Sequence, residues 1–192
     1  MTEQEVRDAL KETGAILNGH FVLTSGRHSD TYVQCARVLE YPSLTANLAK
    51  EAVSKLPDGT NIDLVVSPAV GGIIFGFAVA QALDTRFIFA EREGGAMTLR
   101  RAFSIEPGAK VLIAEDVVTT GGSVAEVCDV VKAAGGEVVG VVSLIDRGGD
   151  RKFTEPFYPL LTLNVDSWEA NQCQLCADGV EIYSPGSRRL TS

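Results

Sequence analysis

Residues 111–124 read VLIAEDVVTTGGSV, an apolar run that ends in two carboxylates, a turn of Thr and Gly, and a Ser. The apolar run predicts a buried strand, and the apolar positions that follow at helical spacing predict a helix beginning near Ser123. In an open α/β sheet, ligands bind at the carboxyl ends of the strands. We therefore expect Glu115 and Asp116 to lie beside a bound ligand.

The turn after these carboxylates has the composition of an anion site. Backbone N–H groups from Thr120 to Val124, helped by the helix dipole and the hydroxyl side chains, would hold a phosphate. Two carboxylates beside a phosphate suit a ligand with neighbouring hydroxyls, as in ribose 5-phosphate, or a divalent cation. The structural alternative is a simple turn with a capping box of Ser123 and Glu126. The sequence contains neither a G-x-x-x-x-G-K-[ST] loop nor a G-x-G-x-x-G after a strand.

Short apolar strands alternate with helices on both sides of this stretch. The pattern predicts strands at residues 62–67, 86–91, 110–116 and 137–145, and helices at residues 72–83 and 123–134. Strands that are apolar on both faces and linked by helices form parallel sheets. The predicted fold class is α/β, with a doubly wound core of about 100 residues.

The chain before residue 62 has a different pattern. Thr2 and Glu5 form a capping-box signature before a helical repeat of apolar residues. Residues 21–24 and 31–39 predict a hairpin around the polar turn at 25–30, and residues 43–56 predict another helix. We expect a single domain over residues 1–192, with a hood at about 1–40, a core at about 43–165 and a tail at 166–192. Residues 91–107 predict a long loop or a two-strand excursion.

Composition excludes several classes of partner. The chain has 192 residues and a formal net charge of −8, which disfavours nucleic acid and anionic membranes. The uncharged run at residues 64–83 is interrupted by Pro and Gly and is predicted to be a strand, a turn and a buried helix instead of a membrane span. The charged N-terminus lacks the features of a signal peptide, and four scattered cysteines fit a reducing setting, so we expect a cytoplasmic protein.

Several short segments of the chain resemble those of a known enzyme family. Residues 115–123, EDVVTTGGS, resemble the phosphoribosyl-pyrophosphate (PRPP) motif of the type I phosphoribosyltransferases. Residues 19–21, 25–29 and 32–34 resemble the hood of the orotate phosphoribosyltransferases, as do residues 67–73 at the place of the family's pyrophosphate loop, and 143–147. The resemblance runs from about residue 10 to the C-terminus and implies the type I phosphoribosyltransferase fold, a parallel central sheet flanked by helices with a small hood.

The resemblance also implies a reaction and a set of binding residues. It implies transfer of ribose 5-phosphate from PRPP to orotate, giving orotidine 5′-monophosphate and pyrophosphate, with Mg²⁺ as cofactor held mainly by PRPP and water. Glu115 and Asp116 would bind the ribose hydroxyls, with Asp116 also catalytic, while Thr119 and Arg147 would contact orotate. The PRPP-binding residues would be Glu115, Asp116, Val117, Val118, Thr119, Thr120, Gly121, Gly122 and Ser123.

The chain departs from the better-known members before the PRPP strand. Those members carry a flexible loop with Lys and His, whereas residues 91–101 here read EREGGAMTLRR. Arg92 is the best match to a catalytic cation, with Arg100 and Arg101 as further candidates. Thr24 and Gly71 stand where many relatives have Lys, which predicts greater reliance on backbone amides and Mg²⁺. In many relatives this loop reaches a neighbouring subunit, which implies a homodimer.

Two alternatives stay open from the sequence. The first is a phosphoribosyltransferase for another base, disfavoured by Arg147 because a neutral base has no carboxylate. The second is a non-catalytic regulator that senses PRPP on the same fold, which the missing loop Lys and His favour.

The remaining polar residues are given simpler interpretations. Cys173 and Cys176 could be half of a zinc site or a redox pair, and four thiolates would need Cys35 and Cys128 or a dimer mate. We expect a plain reduced pair, and no protein metal site. His20 and His28 are predicted to be surface or turn residues without an acid or base role.

Overall fold

The computed structural model describes residues 1–23 and 25–183; Thr24 and residues 184–192, which end the predicted tail, lie outside them. Its α-helices are α1 (Glu3–Glu12), α2 (Ala36–Leu39), α3 (Pro42–Val53), α4 (Gly72–Leu83), α5 (Gly122–Ala133) and α6 (Gln174–Ala177). Its strands are β1 (Ile16–Val22), β2 (His28–Val33), β3 (Leu64–Pro68), β4 (Arg86–Glu93), β5 (Ala96–Leu99), β6 (Lys110–Val118), β7 (Glu137–Asp146) and β8 (Phe157–Thr162). A short 3₁₀ helix spans Ala170–Gln172.

The core is a six-stranded sheet in the order β5-β4-β3-β6-β7-β8. All neighbouring pairs are parallel except β4 with β5, which form an antiparallel hairpin. The chain leaves β3 toward one edge of the sheet and β6 toward the other. The gap between the carboxyl ends of β3 and β6 is therefore a topological switch point, where α/β sheets bind ligands.

Helices cover both faces of this sheet. One apolar cluster joins α1, α3 and α4 to one face, with Leu48, Phe75 and Leu112 fully buried in it. The other cluster packs α5 against the opposite face through residues such as Val127 and Ile113. The two clusters hold β6 rigidly from both sides, so the residues at its end have a fixed position.

A separate two-stranded sheet of β1 and β2 forms the hood. The pairing is antiparallel, with a register shift between Asn18 and Phe21. This irregularity places His20 and Phe21, which are consecutive, both in the interior. The hood is joined to the tail by isolated bridges, Phe21 to Tyr183 and His28 to Trp168.

Most of the predicted elements are confirmed, including the helix at residues 72–83 and the capping box of Thr2 and Glu5. Of the two alternatives for residues 91–107, the two-strand excursion is confirmed: β4 runs to Glu93 and β5 returns beside it, while residues 100–107 contain no strand. The prediction of an extended segment over residues 31–39 was wrong, because β2 ends at Val33 and residues 36–39 are helical. Strand β8 was not predicted; Pro159 within it is tolerated because β8 lies at the sheet edge.

The interpretation of residues 64–83 as a strand, a turn and a helix is confirmed. Within the described ranges, 1–23 and 25–183, the longest apolar helices are too short to cross a bilayer.

Candidate active site

Two loops meet at the switch point between β3 and β6. Residues 69–71 follow β3 and lead into α4, while Glu115 and Asp116 lie near the end of β6. A β-carbon added at Gly71 would lie 2.9 Å from Asp116 Oδ1, and one added at Gly72 would lie 2.9 Å from Glu115 Oε1. The loop after β3 therefore packs directly on the two carboxylates, and a larger residue at either glycine would displace them.

The two carboxylates differ in environment. Glu115 is 7% exposed, and burial, reinforced by the negative charge of Asp116, raises the pKa of its carboxyl well above the usual range. Its Oε1 accepts a hydrogen bond from the Asp116 backbone N–H at 3.1 Å, and Asp116 Oδ1 accepts one from Val117 at 2.9 Å. Both side chains are thus held in place with acceptor oxygens left to bind hydroxyl groups.

The turn after β6 forms an anion cradle. Helix α5 begins at Gly122, and its N-cap is Gly121 with φ of +68°, a left-handed conformation that favours glycine. The first-turn N–H groups have no partner within a helix and point outward with the positive end of the helix dipole. The capping-box alternative is wrong: Ser123 lies inside the helix, and no side chain caps α5. The cradle instead has the geometry of a phosphate site.

A cavity of about 600 Å³ extends from the cradle to the hood. Its lining comes from β2, from the turns after β1, β6 and β7, and from the tail, with the residues Leu23, Ser25, Tyr32, Val33, Thr119, Thr120, Arg147, Gly148, Val165 and Ser167. A smaller pocket of about 50 Å³ is lined by Glu115, residues 117–119 and residues 121–124. The structure therefore brings together the residues expected to bind PRPP and those expected to bind orotate.

Arg147 is the charged residue of the larger cavity. Its backbone N–H donates to Val118 O at 2.8 Å, which ties it to the end of β6. Its Nε is buried and has no hydrogen-bond partner among residues 1–23 and 25–183. Burial lowers the pKa of the Arg147 guanidinium, opposed by the nearby Tyr32. The guanidinium is thus partly buried, with no carboxylate paired to it among the described residues, and a ligand carboxylate would supply the counter-charge.

The three candidate loop arginines are all ion-paired. Arg92 Nη2 lies 2.7 Å from Glu126 Oε2, without the alignment of a hydrogen bond, and Arg92 Nη1 donates to Gly95 O at 3.0 Å. Arg100 pairs with Glu93 at 3.4 Å, and Arg101 pairs with Glu91 at 3.1 Å. Because Glu126 lies on the second turn of α5, Arg92 is the candidate tied to the helix that begins at the cradle.

Sequence reasoning missed several residues of this site. The backbone N–H of Lys152 donates to Thr120 O at 2.9 Å, and its Cδ lies 4.0 Å from the position of a β-carbon at Gly122. This places a cation beside the cradle. Val165, at the end of the core, and Ser167, in the tail, also line the cavity. No motif marks these residues, because they follow the sheet in irregular segments.

The prediction that His20 and His28 are surface or turn residues was wrong. His20 is 1% exposed and His28 is 6% exposed, so neither is a surface residue. Both histidines lie next to Cys173 and Cys176. The sequence predicted a reduced cysteine pair without histidine neighbours. All four cysteines are free thiols.

The fold and the site together define an α/β protein of the phosphoribosyltransferase class, with a phosphate cradle and two carboxylates at the switch point of a mostly parallel sheet. Residues 37–178 match the family described as "Phosphoribosyl transferase domain".

Curated relatives indicate a narrower family within the phosphoribosyltransferase class. The orotate phosphoribosyltransferase of Desulforamulus reducens is 47% identical over 192 residues, with 100% of both chains covered. That of Heliobacterium modesticaldum is 48% identical, covering 98% of this chain and 100% of the relative. The solved orotate phosphoribosyltransferase of Aeropyrum pernix superposes with a TM-score of 0.69 at 25% identity, covering 82% and 93% of the two chains. The chain belongs to the phosphoribosyltransferase family, in its orotate phosphoribosyltransferase branch.

Proposed function

We propose that this protein transfers ribose 5-phosphate from PRPP to orotate, giving orotidine 5′-monophosphate and pyrophosphate in pyrimidine biosynthesis. The observation that carries the proposal is the unpartnered buried Nε of Arg147 in a cavity that ends at the phosphate cradle. A carboxylated pyrimidine provides the anion that this guanidinium lacks, whereas a neutral base does not.

The cradle and the carboxylates would hold the sugar. The 5-phosphate would accept hydrogen bonds from the first-turn N–H groups of α5, and Lys152 would add a positive charge beside them. Glu115 and Asp116 would accept hydrogen bonds from the ribose hydroxyls. With the sugar fixed at both ends, its C1 would face the cavity that receives the base.

Arg147, Thr119 and Tyr32 would orient orotate in that cavity. The guanidinium would fix the ring by its carboxylate. A ring nitrogen would then bond to the ribose C1 with inversion as the C1–O bond to pyrophosphate breaks, and the N–H proton would pass to pyrophosphate or solvent. The positive charge that develops on the sugar lies near Asp116, and the negative charge on pyrophosphate needs cations. Catalysis is thus positioning and electrostatic stabilisation without a covalent intermediate.

The loop at residues 69–72, where the pyrophosphate is expected, contains no Lys or Arg, which gives Mg²⁺ a role. The carboxylates of Glu115 and Asp116, packed against the loop at residues 69–72, are hard oxygen donors of the kind Mg²⁺ prefers. Mg²⁺ would be held mainly by PRPP and water, with Asp116 as a nearby carboxylate, and would neutralise the pyrophosphate charge. Arg92 would leave its pair with Glu126 to contribute a second charge.

We propose a cytoplasmic homodimer. Val70, Ile74 and Phe77 lie on the loop after β3 and on α4, and they are 82%, 53% and 59% exposed. An apolar face of this kind beside a polar site fits a second copy of the chain. Light scattering should show a dimer, and Phe77→Asp should give monomers while Tyr41→Asp, a change at another exposed aromatic, should not. A wild-type monomer would contradict this part of the proposal.

The activity is tested by mixing the purified protein with PRPP, Mg²⁺ and one base at a time and following the absorbance of orotate. Turnover of orotate, and of neither uracil nor adenine, is expected. Turnover of a neutral base would overturn the orotate assignment. PRPP binding by calorimetry without turnover of any base would instead identify a sensor.

A further inference from the structure

A cluster of four metal-ligating side chains lies where the hood meets the tail. It consists of His20 on β1, His28 on β2, and Cys173 and Cys176 around the start of α6. One ligand atom from each residue lies within 4.8 Å of all the others. None of these residues lines the cavity assigned to the substrates. The cluster is therefore a separate feature that the proposed reaction does not use.

The spacing of the ligand atoms fits a single tetrahedral ion. Zn–S bonds of about 2.3 Å and Zn–N bonds of about 2.0 Å place tetrahedral ligand atoms about 3.3–3.8 Å apart. Cys173 Sγ and Cys176 Sγ lie 3.5 and 3.6 Å from His20 Nε2, and Cys176 Sγ lies 3.3 Å from His28 Nδ1. The two histidine nitrogens are 2.8 Å apart, a separation that a small ring rotation would open to the tetrahedral value.

The hydrogen bond on the far side of His20 prepares its ring as a ligand. His20 Nδ1 lies 2.8 Å from the backbone carbonyl of Val180. Because a carbonyl only accepts, Nδ1 carries the proton, and in the neutral ring Nε2 presents its lone pair to the cluster. Metal-bound histidines commonly have this arrangement, in which a carbonyl fixes the tautomer and the ring orientation.

Charge and burial also favour a metal. Two thiolates and two neutral imidazoles around a divalent cation have no net charge, which suits a site where His20, His28 and Cys173 are buried. Binding would release one proton from each thiol to solvent. Two sulfur and two nitrogen ligands in a tetrahedron select zinc over magnesium, calcium or a square-planar copper site, and four protein ligands leave no open position for catalysis.

We propose that His20, His28, Cys173 and Cys176 form a structural zinc site that binds the tail to the hood. The two hairpin ligands and the two tail ligands are more than 140 residues apart in the chain. The same two segments supply Ser25, Tyr32, Val165 and Ser167 to the substrate cavity. A zinc ion here would therefore hold together one wall of that cavity without touching the substrates.

The first test is the metal content of the full-length protein purified under reducing conditions from zinc-supplemented cells. Mass spectrometry of the metals should show about one zinc per chain. Titration of the zinc-stripped protein with Co²⁺ should give the visible d–d bands of a tetrahedral site and a thiolate-to-cobalt band in the near ultraviolet. Less than about a tenth of an equivalent of zinc together with no cobalt spectrum, or iron or copper in place of zinc, would overturn the proposal.

Variants locate the site. Cys176→Ser and His28→Ala should lose the zinc and the cobalt bands. The matched control is Cys128→Ser, because Cys128 lies on α5 outside the cluster and burial raises the pKa of its thiol to about 12. Full zinc in Cys176→Ser, or loss of zinc in Cys128→Ser, would contradict the assignment. If a variant fails to fold, the cobalt spectrum of the wild-type protein still shows whether a tetrahedral site with thiolate ligands is present.

Removing the metal tests whether zinc stabilises the contact between the hood and the tail. Chelation should lower the midpoint temperature and speed hydrogen exchange in residues 16–33 and 166–180, with little change in β6. This readout is independent of orotate turnover, so failure of the proposed reaction would leave it intact. Unchanged exchange in both segments after complete zinc removal would refute the structural role.

Discussion

The two walls of the substrate cavity are built in different ways. One wall is formed by the turns after β6 and β7, which belong to a six-stranded sheet covered by helices on both faces. The opposite wall is a two-stranded hood with an irregular tail laid against it. An isolated two-stranded sheet is marginally stable in water, so the hood depends on links to the tail.

Those links are polar and specific. Arg27 Nε donates to Ser167 Oγ at 2.9 Å, and its guanidinium also pairs with Glu169. Ser29 Oγ donates to Asp166 O at 2.8 Å. The core wall, by contrast, is stable enough to hold Glu115 buried next to another carboxylate. Packing thus holds the carboxylates of Glu115 and Asp116 in the core, while side-chain hydrogen bonds and an ion pair hold the hood to the tail.

Loss of the core-wall carboxylate should have the largest effect. Asp116→Asn removes a negative charge and an acceptor beside the position proposed for the reacting sugar, and we expect kcat/KM for PRPP to fall by about 10²–10³-fold. Steady-state assays at saturating orotate measure this. Asp129→Asn, an exposed change on α5, serves as control and should be neutral. A loss of less than threefold in Asp116→Asn, on the order of 0.6 kcal/mol, would remove Asp116 from the mechanism.

Arg147 is expected to act on one substrate only. Because its guanidinium faces the base cavity, Arg147→Ala should raise the KM for orotate by about 10–100-fold and change the KM for PRPP much less. The control is Arg151→Ala, which removes a cation stacked 5.1 Å from the Phe157 ring centroid. Equal increases in both KM values for Arg147→Ala would mean that the residue supports the fold and does not bind orotate.

The pH dependence of the melting temperature should show whether the buried carboxyl of Glu115 destabilises the core. The pKa of Glu115 is raised in the folded protein, so its contribution to stability is complete below the unfolded pKa of about 4.3 and is lost as the pH rises through the folded pKa. Glu115→Gln mimics the protonated form. It should melt at a higher temperature than wild type at pH 8 and at nearly the same temperature near pH 4, as followed by circular dichroism.

The same variant should be less active than wild type above the folded pKa of Glu115, because an amide has one acceptor oxygen for the ribose hydroxyls where the ionised carboxylate has two. Glu12→Gln, an exposed change on α1, is the control and should show no pH-dependent difference. A lower melting temperature for Glu115→Gln at pH 8 would show that the charged form of Glu115 stabilises the fold.

The smallest effect is expected on the hood wall. Arg27→Ala removes the ion pair with Glu169 and two hydrogen bonds to Ser167, all partly exposed, and should lower the free energy of unfolding by about 1 kcal/mol. Hydrogen exchange should rise in residues 16–33 and stay unchanged in β6. Arg37→Ala breaks a surface pair on α2 and is the control. Faster exchange in β6 would show that the two walls are not independent.

The core was predicted from the sequence more accurately than the contacts between the hood and the tail. The strand, turn and helix at residues 110–134 were predicted nearly to their ends, because apolar periodicity and a glycine turn are local signals. Residues 31–39 were misassigned, because the apolar positions there suit a strand or a short helix equally well. The cluster of His20 and Cys173 could not be predicted, since a single C-x-x-C leaves the other two ligands unspecified.

By itself, the sequence determined the α/β class, the glycine turn before α5 and the two carboxylates at the end of β6, since these depend on consecutive residues whose geometry follows from one strand entering one helix. Only the tertiary structure decided that Lys152 lies beside the cradle, that Arg92 pairs with Glu126, and that two histidines meet two cysteines. These contacts join residues far apart in the chain, and only the packing of the sheet, hood and tail brings them together.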